Sequence, residues 1–273
     1  ILRRRISLRT VLIVTTATDY TYAGSINGSV TLRKWGAAKQ TLTGVNEYQG
    51  GTILEEGVLS VAADTSLGRV HLATRADSLF FAGGTLETTA NMTIVPTRGI
   101  TIDAVGGTIA TAAGTLLQVD SIVTGAGALN KIDDGTIQLN NAANDYTGAT
   151  NVVRGTLQAG AADALAPISR HVITGDATFG TLSLNGFDQT IGSLAAAGPI
   201  SANAVVALGA NRLTLGNDLT QNAVYSGGIT GSGIVRLNGN GAAQTIAAVD
   251  NGAQTWSTQV ANGLLNVADN AKL

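Results

Sequence analysis

One block of sequence occurs twice in this chain, and its recurrence limits the possible folds more than any other feature. Residues 46–52 (NEYQGGT) match residues 144–150 (NDYTGAT), which places the two tyrosines 98 residues apart. The match continues in residues 57–61 (GVLSV) and 155–159 (GTLQA). Recurrence at a fixed spacing indicates a chain built from stacked structural units.

A third, looser copy lies near the end of the chain. It consists of residues 254–256 (QTW) and 263–267 (GLLNV), and it is two residues shorter between its aromatic residue and its glycine. We therefore treat the whole chain, residues 1–273, as one domain that ends within a repeat, because Leu273 aligns with the last leucine of each earlier copy. The three superrepeats lie near residues 22–67, 120–165 and 225–273.

Short segments in which apolar and polar residues alternate recur throughout the chain, as in residues 100–102 (ITI), 136–139 (TIQL) and 182–184 (LSL). A period of two is typical of strands with one buried face. The Gly, Asn and Asp residues between them accept turn conformations at low steric cost. Alanine-rich segments such as residues 195–197 are too short to propagate a helix. The sequence therefore predicts an all-β protein.

The scarcity of large side chains favours a narrow core. Only 4% of the residues are aromatic, whereas 35 are glycine. Sandwich domains normally hold larger side chains in a thicker core, so we predict a right-handed parallel β-helix (a β-solenoid) of stacked short-strand coils. With roughly 20 residues per coil and about 4.8 Å between coils, the chain would form about 13 coils over some 60–65 Å.

The composition also excludes several function classes. The net charge of −2 and the 16 Lys and Arg residues disfavour a nucleic-acid partner. The absence of cysteine excludes disulfides, cysteine-based zinc sites and thiol chemistry. No run of 18 apolar residues occurs, so we expect no membrane insertion by this segment. Arg3, Arg4 and Arg5 precede a short apolar stretch, which we interpret as an edge strand with solvated arginines.

The repeated unit N-x-Y-x-G-x-T, followed by a strand and then by G-x-L, resembles the passenger-associated repeat of autotransporter (type V secretion) proteins. The residues that carry the resemblance are Asn46, Tyr48, Gly50, Thr52, Gly57, Leu59, Val61, Asn144, Tyr146, Gly148, Thr150, Gly155 and Leu157. The resemblance implies a passenger domain at the bacterial cell surface or in the extracellular space, exported across the outer membrane. That family includes adhesins, autoaggregation factors and passengers with an added enzyme domain.

Few residues have the context that catalysis requires. His71 and His171 are interpreted as surface or satisfied turn histidines, because neither lies near a nucleophile motif. The repeated Asn46–Tyr48 and Asn144–Tyr146 pairs could form stacked ladders of amides and rings, or the tyrosines could stack against carbohydrate. We predict no catalytic, cofactor-binding or metal-binding residue, and therefore no cofactor and no enzyme activity.

Acidic residues leave one enzymatic alternative open. If stacked coils brought Asp103, Asp120 and Asp134 together, they could serve a polysaccharide lyase or hydrolase or bind calcium. The segment Asp133-Asp134-Gly135 is more simply a turn. Glu55-Glu56 and Val153-Arg154 precede equivalent glycines with opposite charge, which favours a solvated position there.

The sequence thus favours a non-enzymatic structural or adhesive protein: a stalk, an adhesin or a self-associating factor. Low net charge reduces repulsion between neighbouring molecules, so we expect self-association into a homo-oligomer or fibre, or binding to a surface glycan or protein receptor. One alternative is a subunit of an extracellular filament or surface layer whose coil ends stack between chains. The other alternative is the polysaccharide lyase or hydrolase.

Overall fold

The structure is a computed structural model, and it describes residues 10–15, 17–175, 178–199, 201–216, 222–247 and 255–267. Within these ranges the chain contains 27 β-strands and no α-helix. Two short 3₁₀ turns, η1 (Asp64–Leu67) and η2 (Ser201–Asn203), are the helical segments that the described residues form. The all-β prediction is confirmed.

The strands follow one another at short intervals along the chain. In chain order they are β1 (Thr10–Val14), β2 (Tyr20–Tyr22), β3 (Val30–Lys34), β4 (Lys39–Leu42), β5 (Thr52–Leu54), β6 (Val58–Val61), β7 (Arg75–Phe81), β8 (Thr85–Thr88), β9 (Met92–Ile94), β10 (Arg98–Ile102), β11 (Gly107–Thr111), β12 (Leu116–Val119), β13 (Val123–Gly125), β14 (Leu129–Ile132), β15 (Thr136–Leu139), β16 (Thr150–Val152), β17 (Gly155–Ala159), β18 (Arg170–Thr174), β19 (Gly180–Ser183), β20 (Gln189–Ile191), β21 (Ser193–Ala197), β22 (Ala204–Gly209), β23 (Arg212–Leu215), β24 (Ala223–Tyr225), β25 (Gly228–Gly231), β26 (Ile234–Ile246) and β27 (Ser257–Val267).

Strand pairing is parallel between successive coils. Sheet A has the order β1-β3-β5-β7-β10-β13, sheet B β2-β4-β6-β8-β11-β14-β16-β18-β21, and sheet C β25-β22-β19-β17-β15-β12-β9. Sheet D has the order β20-β23-β26-β24, with β27 beside β26. The strands visit A, B and C in cyclic order, and sheet D takes the place of A from β20 onward. The fold is a parallel β-solenoid of about 11 turns, as the sequence predicts.

The predicted number of coils is wrong, because the coils differ in length. Thr52 lies opposite Leu32, at a step of 20 residues, but Leu79 lies opposite Thr52, at a step of 27. That longer coil contains η1 and the loop that follows it. Longer coils turn the expected 13 coils into about 11 turns.

The interior is a narrow stack of aliphatic side chains with few aromatic rings. Leu54, Phe81 and Ile102 occupy one inward position on successive coils of sheet A and are fully buried. Each such side chain contributes about 1.5–3 kcal/mol relative to an exposed one. Because the same position recurs in every coil, alternating apolar residues are enough to continue the core.

The repeated sequence unit does not return to the same side of the solenoid. The first copy begins on β3 of sheet A and continues on β4 of sheet B, whereas the second begins on β14 of sheet B and continues on β15 of sheet C. Sheet A has four coil steps between β3 and β13, and β14 lies on the next sheet. The spacing between the copies is therefore four and a third coils.

The turn before the second strand pair of each unit depends on glycine. Gly57 and Gly155 have φ of 66° and 68°, in the left-handed region that glycine adopts at no steric cost. A Cβ on Gly155 would also collide with the carbonyl oxygens of Asp133 and Gly135 on the preceding coil. Asp133 itself has φ of 63°, so the expected Asp133-Asp134-Gly135 turn is present.

We expect Gly155→Ala to lower the free energy of unfolding more than twice as much as Gly114→Ala. Gly114 also has a positive φ, of 73°, but no atom lies within 4 Å of the position that a Cβ would take there, so alanine incurs only the left-handed penalty of about 1–2 kcal/mol. Urea unfolding followed by circular dichroism measures both. Equal losses would show that close approach between the coils does not limit position 155.

Several predictions concern the two ends of the chain. Strand β1 lies at the edge of sheet A and pairs with β3, which agrees with an edge strand at residues 11–14. Arg3, Arg4 and Arg5 lie outside the described residues, as do Gln254 and Leu273 of the third copy.

Candidate functional site

The asparagine of each repeat links three successive coils. Asn46 accepts a hydrogen bond from the Ile26 backbone N–H (2.8 Å) and donates one to the Ser66 carbonyl (2.8 Å). Asn144 does the same with Val123 (2.8 Å) and Ala164 (2.9 Å). The structural interpretation is confirmed, but the two asparagines do not stack on each other, because they lie on different sides of the solenoid.

The repeat tyrosines are part of the core. Tyr48 and Tyr146 are buried, and their hydroxyls lie 2.6 and 2.7 Å from the Thr52 and Thr150 hydroxyls. Burial raises the pKa of Tyr146 to about 12, against the opposing effect of Thr150. Carbohydrate stacking on these tyrosines is excluded, because their rings are not accessible.

His171 contradicts the interpretation as a surface or satisfied turn histidine. It lies inside β18, fully buried, with Nδ1 3.1 Å from the Ser169 carbonyl oxygen. Its Nε2 has no hydrogen-bond partner among the described residues. Burial lowers the pKa of His171 to about 4, although the bond to Ser169 opposes the shift. His71 is partly exposed beside Arg75, 3.0 Å from its guanidinium.

His171 should make the fold sensitive to acid. The folded pKa of about 4 lies below the unfolded value near 6.5, so the stabilisation is complete above pH 6.5 and is lost as the pH falls toward 4. We expect a loss on the order of 3 kcal/mol across this range, and His171→Leu should remove that part of the pH dependence. Urea unfolding at several pH values measures it, with His71→Leu as the control. An unchanged acid dependence in His171→Leu would contradict the assignment.

Two buried lysines form a feature that the sequence reasoning missed. The Lys131 ammonium donates to the carbonyls of Ile132 (2.7 Å), Asp133 (2.6 Å) and, on the next coil, Arg154 (3.1 Å). We call this arrangement a lysine cage, and Lys34 forms another with the carbonyls of Trp35, Gly36 and Glu56 at 3.4, 2.5 and 3.1 Å. The signal was present in the sequence, because Lys34 and Lys131 precede the repeat asparagines by 12 and 13 residues.

Each cage satisfies turn carbonyls that the fold removes from water. Burial lowers the pKa of Lys131 to about 8, whereas Asp133 and Asp134 act in the opposite direction. Burial also lowers the pKa of Lys34, opposed by Glu56. Two of the three acceptors in each cage belong to the lysine's own turn and one to the following coil, so the ammonium holds adjacent coils together.

We expect Lys131→Met to cost about 2–3 kcal/mol of unfolding free energy, because it leaves buried carbonyls without their donor. The control is Lys39→Met. Lys39 is 38% exposed and pairs with Glu87 at 3.5 Å, so its loss should cost less than about 1 kcal/mol. Urea unfolding compares the two variants. A loss no larger for Lys131→Met than for Lys39→Met would contradict a role in linking the coils.

The three aspartates of the enzymatic alternative do not converge. Asp103 lies between sheets A and B, Asp134 between B and C, and Asp120 after β12 of sheet C. Asp103 accepts a hydrogen bond from the Val105 backbone N–H at 2.8 Å, and Asp120 one from the Asn140 amide at 2.5 Å. The expectation that stacking brings them together is therefore wrong.

Ion pairs hold the charged corner positions. Arg154 donates to both carboxylate oxygens of Asp134, with Nε 2.9 Å from Oδ1. Glu55, at the matching corner of the first copy, accepts from Arg33 at 2.6 Å. Both pairs are partly exposed, in agreement with a solvated position. Among the described residues, no group of three His, Asp or Glu side chains could hold a metal ion.

The outer face of sheet C carries two uncharged rows of side chains. One row contains Leu116, Thr136, Thr156, Thr181 and Val205, and the other Thr93, Gln118, Gln138, Gln158 and Ser183. Gln158 donates to the Gln138 side-chain oxygen at 2.6 Å, and Thr93 to that of Gln118 at 3.3 Å. The second row is thus cross-linked by its own hydrogen bonds.

Comparison with known proteins agrees with this architecture. The passenger-associated-transport-repeat model matches residues 32–61 and 129–159. Each matched segment contains one lysine cage, one repeat asparagine and one glycine turn. These are the features that join neighbouring coils, so the family pattern records the corners of the solenoid.

Two curated relatives are similar to the chain. The autotransporter adhesin BmaC of Brucella suis biovar 1 (strain 1330) is 35% identical over 251 residues, which cover 89% of this chain and 7% of that protein. The uncharacterized protein YuaQ of Escherichia coli (strain K12) is 31% identical over 141 residues, 51% of this chain and 9% of that protein. The chain thus spans less than a tenth of either relative.

No solved structure matches the chain. In the part of the chain that the structure describes, no helix is long and apolar enough to cross a membrane.

Proposed function

The chain is an autotransporter passenger domain, and we propose that it acts at the bacterial cell surface as a non-enzymatic, adhesin-like stalk. The similarity to an autotransporter adhesin over 89% of the chain supports this function. Because the chain spans 7% of that relative, the binding activity of a complete protein belongs to the proposal as well.

The observation that carries the proposal is the separation between a closed interior and a polar exterior. The repeated tyrosines and asparagines, which are the residues best suited to a binding site by their recurrence, are used to join coils. The outer face of sheet C instead offers rows of uncharged hydroxyl and amide groups. Such a surface supports contacts made by many weak hydrogen bonds rather than chemistry at one centre.

The proposed partners are a surface glycan, a protein receptor or further copies of the chain. Fluorescent beads coated with the chain should adhere to cultured epithelial cells more strongly than beads coated with albumin or with the heat-unfolded chain. Sedimentation of the purified chain over a range of concentrations tests self-association separately. Bead adhesion no greater than that of albumin would contradict the proposed function.

The polysaccharide lyase or hydrolase gains no support from the separated aspartates. We expect the purified chain to leave acidic polysaccharides such as polygalacturonate uncut, as measured by the release of reducing ends. The matched variant is Asp120→Asn combined with Asp134→Asn. Cleavage by the wild-type chain that disappears in this variant would contradict a non-enzymatic function.

A further inference from the structure

Two adjoining grooves run along the outer face of sheet C, parallel to the stack of coils. One has a volume of 340 Å³ and is lined by Leu116, Thr136 and Gln158 among others. The second, of 410 Å³, is lined by Thr156, Phe179 and Thr181. Both are bordered by Asp134, so they form one trough, which we call the sheet C trough.

The trough presents evenly spaced hydroxyl groups. Thr136, Thr156 and Thr181 lie in register on β15, β17 and β19, about 4.8 Å apart from coil to coil. Their hydroxyls make no hydrogen bond to any side chain or backbone group that the structure describes. They are therefore available to a ligand, and the neighbouring glutamine row is already held in place by its own bonds.

The charge and the apolar surface of the trough restrict the ligand further. Its one acidic border residue, Asp134, is paired with Arg154, and the floor carries no charge. Phe179 lies at one end and is 59% exposed, which is unusual for an aromatic ring in a chain with so few. An exposed ring beside hydrogen-bonding groups suits a ligand with both an apolar face and hydroxyls.

A peptide strand does not fit this surface. Strands β15 and β17 are paired with a neighbouring coil on both sides, so the trough offers no free backbone edge for strand addition. The neutral floor gives no attraction to a polyanion. Resting on the proposed adhesin-like function, we infer that the sheet C trough binds a neutral, linear glycan laid along the stack of coils.

The test uses the full chain and soluble hexamers of β-1,4-linked glucose and of β-1,4-linked N-acetylglucosamine, with a galacturonic acid hexamer as the anionic probe. Calorimetry should show binding of a neutral hexamer and none of the anionic one. Thr156→Val and Phe179→Ala should each weaken that binding about fivefold or more, because they remove a hydroxyl and the stacking ring.

Matched control variants lie outside the trough. Thr108 faces outward on β11 of sheet B, and Phe187 lies on an exposed turn, so Thr108→Val and Phe187→Ala should bind as the wild type does. Unchanged thermal midpoints in all four variants assign any loss to direct contact.

Three results would overturn the inference. If no neutral hexamer binds while chain-coated beads still adhere to cells, the trough is not a glycan site although the proposed function stands. If binding persists in all four variants, the glycan site lies elsewhere. If Thr156→Val abolishes self-association and leaves glycan binding unchanged, the occupant of the trough is a second copy of the chain.

Discussion

The fold depends on one constraint: each coil must present the same shape to the coil that follows it. Parallel pairing in sheets A, B, C and D transmits the inward position of a residue from coil to coil, so Leu54, Phe81 and Ile102 share one column of the core. A charged side chain in such a column must find its partners inside the stack. Lys34 and Lys131 do so by taking backbone carbonyls as acceptors, two from their own turn and one from the next.

The corners of the coils therefore carry most of the sequence specificity. A glycine with positive φ, a caged lysine and a bridging asparagine each join neighbouring turns, and each recurs in both segments that the passenger-repeat model matches. Aliphatic positions need only alternate, whereas a corner needs particular residues. A family defined by such corners can vary its outer faces, because the outer side chains of Thr136 or Gln138 take no part in closing the coil.

Much of the fold could be predicted because its information is local and repeated. Alternation located strands such as Thr136–Leu139, and the recurrence of Gly57 and Gly155 located turns. The burial of His171 was missed although it shares the inward phase of Ile173 on the same strand. The separation of Asp103, Asp120 and Asp134 could not be predicted, because the corner that a residue reaches depends on coil lengths that range from about 20 to 27 residues.

Disulfide trapping tests the coil-on-coil register most directly, since the chain contains no cysteine of its own. Residues 138 and 158 face each other on adjacent coils, about 4.8 Å apart, whereas residue 183 lies one coil further along the same row. After mild oxidation, Gln138→Cys with Gln158→Cys should form an intramolecular disulfide, and Gln138→Cys with Ser183→Cys should not. Equal cross-linking of both pairs, or none at 138 and 158, would contradict the stacked solenoid.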